Sequence, residues 1–222
     1  IENHHFRLQS NTVTIKAGEN RADVMVHGYY DNLEATDSLG FQLRLVMNDN
    51  LVMPLYGKDT KAVLMKSCPF DINDFTGYCM LTSMFLYEYS ITGRYQRLIY
   101  TEKHPTEENT IICRNWLNDG YDVTMKFMAD DPMKPFVVMD EGQVATDEGS
   151  FFGTVHGDDK IQVRTSAYYD SVYYPCGSYL YVWTEMYVEN LGVPVGTVGH
   201  FYNIMEWVSD EEADRLKKEE GM

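Results

Sequence analysis

The sequence predicts an all-β protein: a small β unit, then an antiparallel meander closing as a barrel or folding as a sandwich, then a short C-terminal helix. Three observations carry this. Apolar and polar residues alternate with a period of two in most segments, as successive side chains do on the two faces of a strand. Gly, Asn and Asp punctuate these runs at intervals of about 10–20 residues. From residue 77 to residue 208 no helix-length periodic segment separates them.

Residues 1–53 form the first β unit. Phe6-Arg7-Leu8 is a short extended piece. Val13-Thr14-Ile15-Lys16 reads as a strand running into the turn at Gly18. Ala22, Val24 and Val26 then alternate with Asp23, Met25 and His27, and Phe41, Leu43 and Leu45 with Gln42, Arg44 and Val46.

The order V-T-I-K-A-G-E-N-R-A-D-V-M-V, then Y-D-N-L-E-A-T-D-S, then G-F-Q-L-R-L resembles the second half of a Calx-beta domain. The resemblance implies a partial β-sandwich of Calx-beta or Ig-like type, N-terminally incomplete, because a full sandwich needs roughly seven strands. Calx-beta domains bind calcium through acidic loops. Asp31, Glu34 and Asp37 occupy the corresponding loop, but Asn32 replaces one acid of the adjacent pair. A calcium site needs six or more converging oxygens, so a solvated turn is expected, and no metal.

Residues 54–76 carry Pro54, Gly57 and Pro69 and read as a linker. Within it, Ala62-Val63-Leu64-Met65 is a strand or a helical turn. The second domain spans 77–222. Its expected strands lie at 78–89 (one or two), 95–102, 110–116, 123–128, 136–139, 150–155, 161–166, 179–188 and 198–208. Asp119-Gly120 between apolar runs is a hairpin signal. Eight or more consecutive strands favour a barrel, since closure removes the edges. The outline is lipocalin-like, although the Gly-x-Trp signature of lipocalins is replaced by Gly77-Tyr78-Cys79.

The meander is organised around residues 168–189, with seven tyrosines and a tryptophan in 22 positions. Leu180, Val182, Met186 and Val188 form one face of the strand and suit a core. Tyr179, Tyr181, Trp183 and Tyr187 form the other, which suits a second layer, a partner or a ligand. The candidate ligand-binding set is Tyr168, Tyr169, Tyr173, Tyr174, Tyr179, Tyr181, Trp183 and Glu185. Sugar rings present apolar C–H faces that stack on Tyr and Trp, while their hydroxyls need polar neighbours such as Asp170, Ser178 and Glu185. The competing expectation is that these rings pack inside the protein.

The chain closes on Ser209-Asp210-Glu211-Glu212, a capping box, with Lys217 and Lys218 near the helix end as the macrodipole prefers. Ala213 and Leu216 are expected to dock on the sheet, since so short a helix is unstable alone. Together, F-T-G-Y (75–78), N-T-I-I-C-R-N-W (109–116) and G-x-V-G-x-F-x-N-x-x-E-W-x-S-D-E-E-A (196–213) resemble an uncharacterised Bacteroidetes envelope lipoprotein family. That resemblance implies export, a lipid anchor on an upstream cysteine absent from this chain, and a place at the outer membrane or cell surface near glycan-uptake systems.

Composition narrows the partners. The 222 residues include 34 acidic and 18 basic ones, a formal charge of -16, which repels nucleic acid and anionic membrane surfaces. Membrane contact is expected only through the upstream anchor. The chain opens on Ile1 with no visible signal peptide, as after leader removal or in a fragment. Cys68, Cys79, Cys113 and Cys176 contain no C-x-x-C and are expected as buried free thiols rather than disulfides. No G-x-S-x-G or H-E-x-x-H occurs, so no catalytic residue and no cofactor is expected. The nearest approach to catalytic material is Glu185 with Glu206, should their strands be neighbours. His200, sharing a face with Val198, Tyr202 and Ile204, reads as a core histidine. The expected function is a non-enzymatic envelope lipoprotein binding carbohydrate through its Tyr/Trp surface. The alternative is a structural or assembly protein docking on an envelope partner, with a glycoside hydrolase third.

Overall fold

A computed structural model describes residues 1–34, 37–46, 58–132, 134–189 and 196–219. The chain divides into two compact units, Ile1–Ser67 and Cys68–Met222.

The first unit is built on two antiparallel ladders. β1 (Phe6–Leu8) pairs with β2 (Val26–Gly28), Phe6 opposite Gly28. β3 (Ser38–Arg44) pairs with β4 (Asp59–Met65), Phe41 opposite Ala62. Ala62–Met65 is therefore strand, and Pro54 and Gly57 lie outside the described residues. Phe6 stacks on Phe41 at 4.2 Å between ring centroids. The strand expected at Val13–Lys16 does not form. Val13 and Ile15 are 42% and 53% exposed, and no described strand lies alongside them, so their alternation has no core to face.

The second unit holds β5 (Gly77–Ser83), α1 (Met84–Tyr89), β6 (Gln96–Lys103), β7 (Thr110–Arg114), β8 (Val123–Met128), β9 (Phe136–Val138), β10 (Gln143–Asp147), α2 (Glu148–Phe152), β11 (Lys160–Thr165), β12 (Val172–Tyr174), β13 (Tyr179–Val188), β14 (Gly196–Trp207) and α3 (Asp210–Glu219). Among the described residues, eight of these strands form a closed antiparallel barrel in the order β5-β6-β7-β8-β9-β12-β13-β14, with β14 returning to β5. β13 is the closing strand. One edge carries β14 along its whole length. The other carries β12 opposite Tyr179–Tyr181 and then β11 opposite Thr184–Tyr187, so the β10–β11 hairpin extends the wall.

Period two sets the faces as the sequence predicts. Val123, Met125 and Phe127 are buried and alternate with half-buried or exposed Thr124, Lys126 and Met128. Leu180, Val182, Met186 and Val188 join the same core. The Asp119-Gly120 signal also holds: Gly120 has a φ of +86°, which L side chains rarely adopt, within the turn joining β7 to β8. Two expected strands are helices. Residues 84–89 form α1, burying Phe85 and Leu86. Residues 148–152 form α2, where the Asp147 carboxylate accepts the Ser150 N–H at 2.7 Å and Gly153 stops the helix in the left-handed region.

Aromatic plugs fill both ends of the barrel. At one end α1 and α2 bring Phe85 within 4.9 Å of Phe151 and 5.3 Å of Phe201, centroid to centroid. At the other, Phe70 and Phe75 enter ahead of β5. Phe75 lies 4.7 Å from Phe127, 5.7 Å from Tyr173 and 5.1 Å from Trp207. Trp207 Nε1 donates to Thr101 Oγ1 at 2.8 Å, and that hydroxyl donates to the Phe75 carbonyl at 3.0 Å. The plug segment begins at Cys68, which is bridged to Cys176. This corrects the expectation of four free thiols: Cys79 and Cys113 are buried and free, and burial pushes both thiols up, but Cys68 and Cys176 form a disulfide.

The terminal helix forms as its capping residues require. Ser209 Oγ accepts the Glu212 N–H at 3.2 Å. Ala213 and Leu216 are buried, and Lys217 Nζ lies 3.7 Å from the centre of the Tyr78 ring on β5.

Candidate functional site: an aromatic outer face

Because the barrel is filled, the surface most suited to a ligand is outside it. On β13 the odd-numbered side chains Tyr179, Tyr181 and Trp183 leave the core face. On β14 the residues opposite Trp183, Tyr181 and Glu185 are Tyr202, Ile204 and His200. Their rings form a continuous run. Tyr169 stacks on Trp183 at 4.2 Å; Trp183 meets Tyr202 at 5.1 Å; Tyr202 stacks on Tyr181 at 5.4 Å. Tyr181 meets Tyr179 at 5.6 Å, and Tyr179 stacks on Tyr174 at 4.6 Å. Tyr168 stands edge-on to His200 at 5.1 Å. Such offset-stacked and edge-to-face pairs are the arrangements the ring quadrupole favours.

The rings face solvent: Tyr168 is 77% exposed, Tyr169 48% and Tyr174 40%. Tyr179, Tyr181, Trp183 and Tyr202 are half-buried, each giving one side to its neighbours. Packing among the rings has an electrostatic consequence. Burial, with Tyr181, Tyr174 and Tyr179 adding to it, pushes the Tyr202 phenol up to about 12. Beyond Tyr202 the face continues into a 350 Å³ hollow lined by Ile204, Thr82, Met84, Tyr87 and Tyr95.

Polar groups border the rings. Glu185 receives Arg164 Nε at 3.0 Å, and Arg164 also pairs with Glu141. The Glu185 hydrogen bond, foremost among these contacts, raises the Arg164 guanidinium further. His200 Nδ1 lies 3.1 Å from Ser166 Oγ. Ser171 Oγ accepts the Trp183 N–H at 2.9 Å, fixing the backbone that presents the indole.

Of the eight residues singled out by sequence, Tyr168, Tyr169, Tyr174, Tyr179, Tyr181 and Trp183 share this face; Glu185 lies next to it but is buried, both carboxylate oxygens accepting from Arg164. Tyr173 does not join them: it points inward from β12, is 2% exposed and packs on Phe75 and Phe127. Tyr187 is covered as well, its hydroxyl accepting the Gly142 N–H at 2.9 Å with Arg164 over its ring. His200 and Tyr202 are members that sequence reasoning placed on a core face. The core face of β14 is instead Phe201, Asn203 and Met205. Matching the alternation of β14 to that of β13 was the signal that could have found them.

The Glu185–Glu206 pair does not form. The two strands are neighbours, but Glu185 lies opposite His200 and Glu206 opposite Tyr179. Six residues of strand, roughly 20 Å, separate them, against the 5–10 Å of a glycosidase pair. Among the described residues no group of three His, Cys, Asp or Glu side chains converges to hold a metal ion.

These features define a class: a filled, eight-stranded antiparallel barrel that carries an aromatic face on the outside of its sheet. The chain belongs to the family described as Domain of unknown function (DUF4984), whose model matches residues 55–219. No curated protein and no solved structure matches it.

Proposed function

We propose that this chain is a non-enzymatic binding protein of the cell envelope, taking a neutral glycan on the aromatic face of β12, β13 and β14. The observation that carries this reading is the unbroken run of solvent-facing rings from Tyr168 to Tyr174 on a barrel that is otherwise filled. Sugar rings stack on such surfaces through their C–H faces, and Asp170 and His200 offer partners for hydroxyls at the border, whereas Glu185 is buried with both carboxylate oxygens held by Arg164. The formal charge of -16 disfavours sulfated or uronate-rich chains. The Cys68–Cys176 bridge supports an exported protein, because disulfides persist in oxidising compartments.

An array of neutral and acidic glycans probed with purified protein tests the reading. Neutral glycans are expected to bind, with binding lost in Trp183→Ala at an unchanged unfolding midpoint. A blank array, or binding that survives Trp183→Ala, overturns it and favours a protein partner for the same face.

A further inference from the structure

The barrel wall has a seam on the side of β6. β6 extends over Gln96–Lys103, yet β7 covers only Tyr100–Lys103 of its edge, because β7 ends at Arg114 opposite Tyr100. The other edge of β6 is paired with β5 from Gln96 to Thr101. Residues of an antiparallel strand serve their two neighbours alternately. Odd-numbered positions serve β5, in line with the Ser83 N–H donating to the Tyr95 carbonyl at 2.9 Å. Even-numbered positions serve β7, in line with the His104 N–H donating to the Thr110 carbonyl at 2.8 Å. Gln96 and Leu98 therefore aim their backbone N–H and C=O groups at an edge where β7 has already ended. Among the described residues no strand meets them.

The turn after β7 does not substitute for one, since the donors of Asn115, Trp116 and Gly120 are used within it. The Asn115 N–H goes to Asp122 Oδ1 at 2.9 Å, the Trp116 N–H to the Tyr121 carbonyl at 2.7 Å and the Gly120 N–H to Asn115 Oδ1 at 2.7 Å. Between β6 and this turn lies a groove of 710 Å³, lined by Leu98, Leu117 and Phe151 together with the polar Gln96, Asn118 and Lys217. Arg97 crosses it, donating from Nε to the Asn115 carbonyl at 3.0 Å and pairing with Asp119. Open edges are usually blunted by charge, bulges or a covering segment; this one is sunk in a groove of mixed polar and apolar lining.

We propose that the β6 seam is a peptide-binding site, taking an extended segment of another protein as an added strand. The occupant follows from the chemistry of the groups on offer. N–H and C=O pairs repeating every second residue, about 6.8 Å apart, match another backbone in β conformation; side chains of alternate residues then give specificity. The segment spans about four residues opposite 96–99, with an apolar side chain directed to Leu117 and Phe151. This site is separate from the aromatic face and does not rest on the glycan reading.

The test combines amide exchange with peptide selection on the full chain. In the free protein the Leu98 and Gln96 amides should exchange at least tenfold faster than those of Arg97 and Ile99, which bond to β5. A random heptapeptide phage library panned on the protein should yield sequences with alternating apolar positions. A synthetic peptide from that selection should slow Leu98 exchange tenfold or more. N-methylation at alternate positions of that peptide, which removes backbone donors and leaves side chains alone, should abolish binding. Leu98 and Gln96 amides already protected in the free chain would show the seam closed by this chain itself and overturn the proposal. Protection that grows with protein concentration without peptide would assign the seam to a second copy and overturn it too. So would a library without enrichment, or a selected peptide that tolerates N-methylation at every position.

Discussion

Replacing the bridge by Cys68→Ala/Cys176→Ala tests how the barrel end is held. The bridged residues are 108 positions apart. The loop-closure expression for that length gives about 4.8 kcal/mol at 25 °C, and measured removals cost about 2–5 kcal/mol. The variant keeps Cys79 and Cys113 as its only thiols, both buried and raised by burial, so disulfide exchange does not complicate the comparison. Urea unfolding followed by circular dichroism is the assay. With a slope of about 1–3 kcal/mol per molar, the midpoint should fall by roughly 1–3 M. The reasoning assigns the effect to the unfolded chain, so it also predicts additivity with Phe75→Ala, which should cost about 3–5 kcal/mol with or without the bridge. An unchanged midpoint in the double-cysteine variant refutes the loop-closure argument. A Phe75→Ala cost that collapses without the bridge refutes the additivity, and would mean the disulfide acts by seating the plug.

Leu216→Ala should lower stability by about 1–3 kcal/mol if α3 is docked as its burial requires; an unchanged urea midpoint would mark α3 as a free tail. Trp207→Phe removes the donor to Thr101 Oγ1 while keeping much of the ring packing on Phe75, and should cost about 1–2 kcal/mol; a Thr101→Val background should shrink that cost, and a full cost there would contradict the hydrogen bond. The Tyr202 phenol, pushed up to about 12 by burial and its tyrosine neighbours, has a folded value above the ordinary tyrosine value of about 10. Its contribution to stability is therefore complete below about pH 10 and lost as pH rises towards 12. Phenolate absorbance should show this tyrosine titrating after the exposed ones, and Tyr202→Phe should flatten the alkaline loss of stability; titration of all surface tyrosines near 10 would contradict the packed run.

Sequence revealed the strands best where one face is buried. Val123, Met125 and Phe127, and Leu180, Val182 and Met186, are assigned by period two alone because a one-residue slip would turn each set to solvent. The short segments at Met84–Tyr89 and 150–155 were not separable into helix and strand by periodicity; for α2 the decisive signals were local, Asp147 as cap and Gly153 as stop. Val13 and Ile15 show the converse, alternation with no partner strand among the described residues. Bridging of Cys68 to Cys176 was illegible because nothing local links residues 108 positions apart. The site was half legible: the rings of β13 lie in one stretch, whereas Tyr202 and His200 join them only through the β13–β14 register.

The most direct test of the aromatic face uses the three tryptophans, Trp116, Trp183 and Trp207. Trp116 is fully buried, Trp207 packs against the Phe75 plug, and Trp183 stands on the face. In protein labelled with 5-fluorotryptophan, each gives its own fluorine resonance, assigned by single Trp→Phe variants. Titration with a neutral glycan that binds on the array should move the Trp183 resonance and leave those of Trp116 and Trp207 in place. Saturable binding that moves Trp116 or Trp207 and leaves Trp183 unmoved would contradict recognition on the outer face.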